Sequence, residues 1–426
     1  MNKIKKPFIV CVTGTKGKTT TSRLISNIVK TKYKNVLLTD THGCYLNLEK
    51  VIGNSDSKKI WGIKYPTVCP GRFLYLLKDK KNSIAVLESS IGSAHTKGSG
   101  YGRHDVGVLT NSFEDHMGRS FIKTKKDILN SKTLIAFGSN KKGSHIVFNY
   151  EGDISTSIVE RYRKEKELHV TAVTLKQKNV PKLSKLGYGI IYTNSDGYIY
   201  HLSTENTERR IIATKDVPMS FRGTFEPSIY SSMLAIGACI DMPGMSLKNI
   251  ASGLTSFKDK SVEARMNMYY SKKEGVHVIF DFAHEIRSLT AVANFSNYQK
   301  KGKSIGVFAL PLDRKDAQII DYAKKMKNLF DITIIYDISD SKINDHNMAE
   351  GRKCGDVSNM IFDILNKKNS NKYKVIKITS EIEAFSKAVE LSEKGDIITH
   401  FFETPQKVQE RLGELLPDIK KVSDFK

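Results

Sequence analysis

A glycine-rich segment near the start of the sequence carries its most specific chemical signal. The segment follows the apolar run at residues 8–12 and consists of Gly14, Thr15, Lys16, Gly17, Lys18, Thr19 and Thr20. An apolar strand that leads through glycines into a helix presents backbone N–H groups and a lysine to the phosphates of a nucleotide. We therefore predict that this phosphate loop binds ATP or GTP, with Lys18 neutralising phosphate charge and the Thr19 hydroxyl holding magnesium.

Two further groups of polar side chains follow apolar runs. Glu88 comes directly after residues 84–87, and the run at residues 106–110 leads into Asn111 and His116. The carboxyl ends of neighbouring parallel strands meet at one end of a sheet, where carboxylates and imidazoles ligate cations. These residues predict a metal site beside the phosphate loop, with Glu88 and His116 as ligands; a solubilising strand cap and a solvated histidine are the structural alternatives.

The elements that must position these residues form a first α/β domain, predicted at residues 1–258. Short β-rich runs at residues 36–39, 84–87 and 106–110 each lead into polar or glycine-rich sequence, as is typical of parallel strands. From about residue 146 to 215 the pattern changes to short strands and turns. We expect a mostly parallel sheet with an antiparallel extension.

A second, smaller domain is predicted at residues 259–426. Apolar runs alternate with helical segments there, which predicts a doubly wound α/β sheet. The predicted strands lie at residues 276–282, 305–310, 332–336, 375–378 and 397–401.

Composition limits the class of protein. The sequence has 426 residues, of which 39% are hydrophobic, and no apolar stretch reaches the roughly 18 residues that span a bilayer. Its five scattered cysteines favour neither a disulfide framework nor a zinc site. The net charge of +23 comes from lysines spread along the chain, which favours a solvated surface over a nucleic-acid interface. We expect a cytoplasmic protein without a membrane partner, and a homo-oligomer is compatible with the sequence.

Three segments together resemble the Mur ligase family. They are G-T-K-G-K-T-T at residues 14–20, L-E-S-S at residues 87–90 and T-N-S-F-E-D-H-M-G-R at residues 110–119. The resemblance implies an ATP-dependent, ADP-forming enzyme that uses Mg2+ and joins an amino acid to a carboxylate through an acyl phosphate. The acceptor would be a carboxylate-bearing molecule, with peptides as one class.

The same resemblance assigns roles that the residue types alone do not. It implies catalytic roles for Lys18, His116, Lys132 and Arg265, with Lys132 near a second magnesium as a carbamate and Arg265 at the γ-phosphate. It also places Asn111 and Asp281 at the nucleotide, Asp281 against the ribose. Without the family, Lys132 and Arg265 are expected to be ordinary surface side chains, and Asp281 a polar strand cap.

Within the family, the sequence is most similar to the C-terminal ligase half of the cyanophycin synthetases. Residues 100–108, the turn P-L-D-R-K-D at residues 311–316 and the glycine turn at residues 351–353 carry this likeness. Glu226 and Glu285 stand where the family usually has asparagine. The sequence shows neither a uridine-nucleotide-binding domain before the phosphate loop nor an ATP-grasp half, so we expect a single ligase activity.

Two other functions stay open at this point. A poly-γ-glutamate or folate-type glutamate ligase would share the short phosphate loop. A non-catalytic ATP-binding regulatory or nucleic-acid-associated protein would account for Glu226, Glu285 and the positive charge.

Overall fold

The chain divides into two compact units, Met1–Lys258 and Asp259–Lys426, which we describe separately. The computed structural model describes residues 6–53, 70–92, 94, 98–113, 122–138, 140–257, 266–283, 286–310, 316–337, 352–366, 374–401, 405–422 and 425.

The first unit contains, in its described residues, one sheet of eleven strands. Their order across the sheet is β11-β10-β9-β8-β7-β6-β1-β5-β2-β3-β4. The strands are β1 Phe8–Thr13, β2 Asn35–Asp40, β3 Gly43–Leu46, β4 Glu49–Gly53, β5 Ser83–Glu88, β6 His104–Leu109, β7 Asn140–Asn149, β8 His169–Thr174, β9 Gly189–Thr193, β10 Tyr198–Leu202 and β11 Glu208–Ala213.

Strand direction confirms a mostly parallel sheet with an antiparallel extension. All the pairs between β2 and β9 are parallel, whereas β10 and β11 run antiparallel at one side and β3 and β4 at the other. The extension is shorter than the predicted residues 146–215, because β7, β8 and β9 continue the parallel ladder. Helices supply the crossover connections between these strands, as parallel pairing requires.

Helices cover both faces of this sheet. The first, α1, packs its apolar stripe on the central strands, and Leu24, Ile25, Ile28 and Val29 are all fully buried, as their spacing predicts. The α-helices of the first unit are α1 Lys18–Lys30, α2 Lys125–Thr133, α3 Thr156–Lys166, α4 Val180–Lys185, α5 Glu226–Cys239 and α6 Leu247–Thr255. Helical segments of the 3-10 or π type are Pro70–Leu77, Leu134–Gly138, Gln177–Asn179, Thr214–Asp216 and Pro218–Ser220.

The second unit is the expected doubly wound α/β sheet. Its strands, in the order β16-β15-β14-β17-β13-β12-β18, pair in parallel from β16 to β13 and antiparallel beyond. They are β12 Asn267–Ser271, β13 Val276–Asp281, β14 Ser304–Phe308, β15 Ile332–Ile335, β16 Lys374–Lys377, β17 Ile397–Phe401 and β18 Lys420–Val422. The helices are α7 Ile286–Gln299, α8 Asp316–Met326, α9 Asp356–Asn366, α10 Glu381–Leu391 and α11 Pro405–Leu415.

The helices are all short. The longest in the described ranges, α5 and α7, have 14 residues each. No helix within those ranges combines the length and the apolar character that a bilayer crossing requires.

Candidate functional site

The phosphate loop lies at the carboxyl end of β1, between the ends of β5 and β6. Two of its glycines have backbone angles that side-chain-bearing residues rarely adopt, Gly14 with φ of 148° and Gly17 with φ of 79°. A Cβ on Gly14 would also lie 1.9 Å from Thr110 Oγ1 at the end of β6. The close approach of β6 therefore requires glycine at position 14.

Asn111 holds the loop from the neighbouring strand end. Its Oδ1 accepts hydrogen bonds from the backbone N–H groups of Thr15 at 3.1 Å and Lys16 at 2.9 Å. Its Nδ2 donates to the carbonyl of Lys16 at 3.1 Å, which also accepts from Thr110 Oγ1 at 2.6 Å. Asn111 thus fixes the conformation of the loop that the sequence assigns to phosphates.

The first turn of α1 supplies the predicted cation and hydroxyls. Lys18 is the first residue of this helix, and its Nζ donates to the carbonyl of Thr15 at 3.0 Å. Thr19 is buried and Thr20 is half-buried. The first turn carries no acidic side chain, so the positive end of the helix dipole is uncompensated there and favours an anion.

Glu88 ends β5 as a fully buried carboxylate. Its Oε1 accepts the hydroxyl of Thr41 at 2.9 Å, whereas Oε2 is buried without a hydrogen-bond partner in the described part of the chain. A buried carboxylate oxygen without a donor is costly, and a hard divalent cation is the ligand that such an oxygen suits. Glu88 and the hydroxyl of Thr19 therefore fit Mg2+ chemically.

Lys132 lies on α2, whose amino terminus is fixed by a capping box between Thr124 and Asp127. Only 3% of Lys132 is exposed, and its Nζ donates to Thr15 Oγ1 in the phosphate loop. The expectation of a surface lysine, drawn from residue type alone, is therefore wrong. The buried face of α2 turns Lys132 inward, together with Ile128.

In the second unit, Asp281 is the last residue of β13 and is 9% exposed. Its Oδ2 accepts the backbone N–H of Met266 at 2.9 Å. Residues 311–315 and 351 of the two predicted turns lie outside the described part of the chain, and the described Asp316 and Arg352 form an ion pair.

Several predicted residues lie outside the described part of the chain. They are His116, Arg265 and Glu285. Within the described ranges, no group of three or more His, Cys, Asp or Glu side chains has the geometry to hold a metal ion. Glu226 is the exposed first residue of α5.

One buried network near the site escaped prediction from the sequence. Arg23 on α1 pairs with Asp40 at 2.6 Å, and both side chains are buried. Asp40 Oδ1 in turn accepts the backbone N–H groups of His42 and Gly43, which holds the turn that presents Thr41 to Glu88. The signal in the sequence that could have predicted this ion pair was a basic residue on α1 and an aspartate at the end of the next strand.

A second group lies at the carboxyl ends of β7 and β8. Glu151 accepts hydrogen bonds from Tyr230 at 3.0 Å, from Thr174 at 2.5 Å and from Asn179 at 2.7 Å. Burial and the neighbouring Glu151 carboxylate raise the pKa of Tyr230. The adjacent Gly152 carbonyl accepts the N–H of Ser112, so this loop abuts the segment that holds the phosphate loop.

Comparison with curated proteins finds relatives along nearly the whole chain. The sequence is 28% identical over 403 residues to a cyanophycin synthetase of Crocosphaera subtropica, covering 93% of this chain and 42% of that protein. It is 24% identical over 398 residues to a UDP-N-acetylmuramoyl-L-alanyl-D-glutamate–2,6-diaminopimelate ligase of Clostridium botulinum, covering 93% and 73%. The chain spans about two fifths of the length of the cyanophycin synthetases it matches.

Solved structures share the fold. Escherichia coli FolC in complex with DHPP and ADP superposes with a TM-score of 0.66 at 16% identity, covering 96% of this chain and 89% of that one. The MurF ligase of Thermotoga maritima in complex with ADP gives a TM-score of 0.61 at 15% identity, covering 97% and 81%.

Two family descriptions match consecutive parts of the chain. Residues 12–238 match the Mur ligase middle domain, and residues 264–401 match the Mur ligase, glutamate ligase domain. The first match alone covers more than half of the sequence and contains the phosphate loop, Glu88, Asn111 and Lys132. This chain belongs to the Mur ligase family.

Proposed function

We propose that this chain is an ATP-dependent, ADP-forming amide ligase that joins an amino acid to a carboxylate through an acyl phosphate. The observation that carries the proposal is the assembly at the carboxyl end of the first sheet. There Asn111 and Lys132 hold the phosphate loop, and Glu88 has a buried oxygen without a hydrogen-bond partner among the described residues. Family membership, shown by the domain matches, supports it.

Each residue of the site would have a role that follows from its position. Lys18 and the amino terminus of α1 stabilise negative charge on the phosphates, which is the main requirement of phosphoryl transfer. Glu88 and Thr19 would hold Mg2+, which would supply charge neutralisation at the transferred group. Asn111 keeps the loop in one conformation, so little ordering remains when nucleotide binds.

Lys132 is proposed as the site of a carbamate near a second magnesium. Its neutral amine would add to CO2 and release one proton, leaving a carboxylate on Nζ. The burial of this side chain and its contact with Thr15 support a role at the phosphate loop. His116, Arg265 and Asp281 are proposed at the metal, the γ-phosphate and the ribose through the family resemblance.

The substrates are proposed as an amino acid and a carboxylate-bearing acceptor, with a peptide as one class. Likeness to cyanophycin synthetases over 93% of the chain supports a cyanophycin-synthetase-like reaction. A folate-type or poly-γ-glutamate ligase is the second candidate, because residues 264–401 match a glutamate ligase domain.

The test is an ADP-release screen of the purified chain across amino acids and short acidic peptides, followed by mass measurement of the product. Stimulation by one amino acid, with a product heavier by that residue, identifies the reaction and separates the two candidates. Lys18→Ala should abolish this turnover and Lys132→Ala should reduce it, whereas Lys34→Ala, an exposed lysine after α1, should not.

Two results would contradict the proposal. Unchanged ADP release in Lys18→Ala would remove the phosphate loop from catalysis. Nucleotide binding without any stimulated turnover would favour a regulatory protein.

A further inference from the structure

A cavity of about 530 Å³ lies in the first unit at the amino ends of the parallel strands, away from the phosphate loop at their carboxyl ends. It is lined by residues near the amino ends of β6, β7, β8 and β9, by His201 on β10, by residues 203–205 after β10 and by Asp241. A cavity of this volume accommodates a small organic molecule. Nothing in the proposed ligase reaction uses this end of the sheet.

The cavity lies beyond the end of a helix and beside a glycine. Helix α5 covers this face of the sheet but ends at Cys239, before it reaches the first residues of the strands beneath. Gly189, the first residue of β9, lines the cavity and has no side chain to fill it. Space therefore remains between the end of the helix and the sheet.

The floor of the cavity is polar where a covered sheet face would normally be apolar. His145 and His169 are register partners on β7 and β8, and Thr171 lies two residues further along the same face. His145 Nε2 is 2.9 Å from Thr171 Oγ1. His201 on β10 is 7% exposed, and its Nδ1 has no hydrogen-bond partner among the described residues. A buried ring nitrogen without a partner calls for an explanation, and a ligand supplies one.

Three carboxylates, Asp105, Glu205 and Asp241, and two lysines line the cavity. The two lining lysines are engaged, Lys141 with Asp105 and Lys142 with Glu167, each at 2.7 Å. Asp241, on the rim, faces His145 Nδ1 at 4.0 Å and is 62% exposed.

Neither His145 nor the end of α5 offsets the Asp241 charge. Burial is the main cause that lowers the pKa of His145, to about 4, so its imidazole is neutral at pH 7. The carbonyl end of α5, just before Asp241, adds partial negative charge.

We propose that this cavity binds a small organic cation, an ammonium or guanidinium group, with Asp241 as counter-ion and the imidazoles of the cavity floor as hydrogen-bond partners. A metal ion is the less suitable occupant, because no trio of His, Cys, Asp or Glu side chains in the described ranges has ligating geometry. The proposal goes beyond the ligase function, because it assigns a second site at the other end of the sheet.

The test is isothermal titration of the full chain with agmatine, which carries a guanidinium and an ammonium group but no carboxylate, in the absence of nucleotide. We expect saturable binding and a Kd raised about tenfold by Asp241→Asn, the usual effect of losing one hydrogen bond to a charged group. Asp216→Asn, an exposed carboxylate outside the cavity lining, is the matched control and should leave the Kd unchanged.

Three results would overturn the proposal: no agmatine binding, equal binding by Asp241→Asn, or a loss of binding in Glu88→Gln, whose carboxylate lies beside the phosphate loop, as large as in Asp241→Asn. The last would place the probe at the phosphate loop. Glu205→Gln, on the exposed segment after β10, should also weaken agmatine binding. It provides a second variant in case Asp241→Asn fails to fold. The titration contains no ATP, so these outcomes would be the same if the ligase proposal were wrong.

Discussion

Asn111→Ala is the sharpest test of how the phosphate loop is held. The substitution removes three hydrogen bonds, to Thr15 N, Lys16 N and the Lys16 carbonyl. Thr15 N keeps the backbone carbonyl of residue 111 at 3.0 Å, and the Lys16 carbonyl keeps Thr110 Oγ1 at 2.6 Å. Lys16 N therefore bears the largest single loss, about 1 kcal/mol, and the two groups that keep a bond each bear a smaller one. We expect the three losses together to lower the stability of the first unit by about 2 kcal/mol.

The same variant should weaken ADP binding about tenfold, because the loop must then be ordered at the expense of binding energy. Urea unfolding monitored by hydrogen exchange reports the first unit separately, and calorimetric titration gives the ADP affinity. Asn27→Ala is the matched control, since it removes bonds of 2.6 Å and 3.1 Å between α1 and residues 253 and 256. It should lower stability by a similar amount and leave the ADP affinity unchanged.

Two results would refute this reasoning. A stability loss below about 0.5 kcal/mol in Asn111→Ala would show that the side chain contributes little to the loop, because even one typical hydrogen bond contributes more. Equal ADP affinities for Asn111→Ala and the parent chain, with stability reduced, would show that binding does not depend on a loop ordered in advance.

Two further predictions concern buried titratable groups. Glu88→Gln should raise the stability of the metal-free chain by about 1 kcal/mol, because it neutralises a fully buried carboxylate whose Oε2 has no hydrogen-bond partner among the described residues. It should also abolish the proposed Mg2+-dependent turnover; a less stable variant, or one that keeps this turnover, would contradict the reasoning. Burial is the main cause that lowers the pKa of His104 to about 4. The unfolded chain takes up that proton near pH 6.5, so this contribution to stability is complete above pH 6.5 and is lost as the pH falls towards 4. His104→Gln should therefore reduce, by the equivalent of one proton, the slope with which the free energy of unfolding falls from pH 6.5 towards 4. An unchanged slope would exclude His104 as its source.

The local features of the site follow from the order of residues along the chain. An apolar run, two glycines and a lysine before an amphipathic stripe predict β1, the phosphate loop and α1, because strand, turn and helix are decided by neighbours within about 20 residues. Glu88 at a strand end is predictable in the same way. The antiparallel extension was placed too early, because the helices between β7 and β9 bury few apolar residues and give weak periodicity.

The sequence by itself thus determined the α/β class, the phosphate loop and the acidic residue at the end of β5. Only the tertiary structure decided that Lys132, far along the chain, is buried against Thr15. It also decided that one oxygen of Glu88 accepts from Thr41 and that the other has no hydrogen-bond partner in the described part of the chain. The same holds for the cavity beyond α5, whose histidines come from separate strands. Burial and partner choice depend on which strands become neighbours, and that order is set by packing of the whole sheet rather than by any local run of residues.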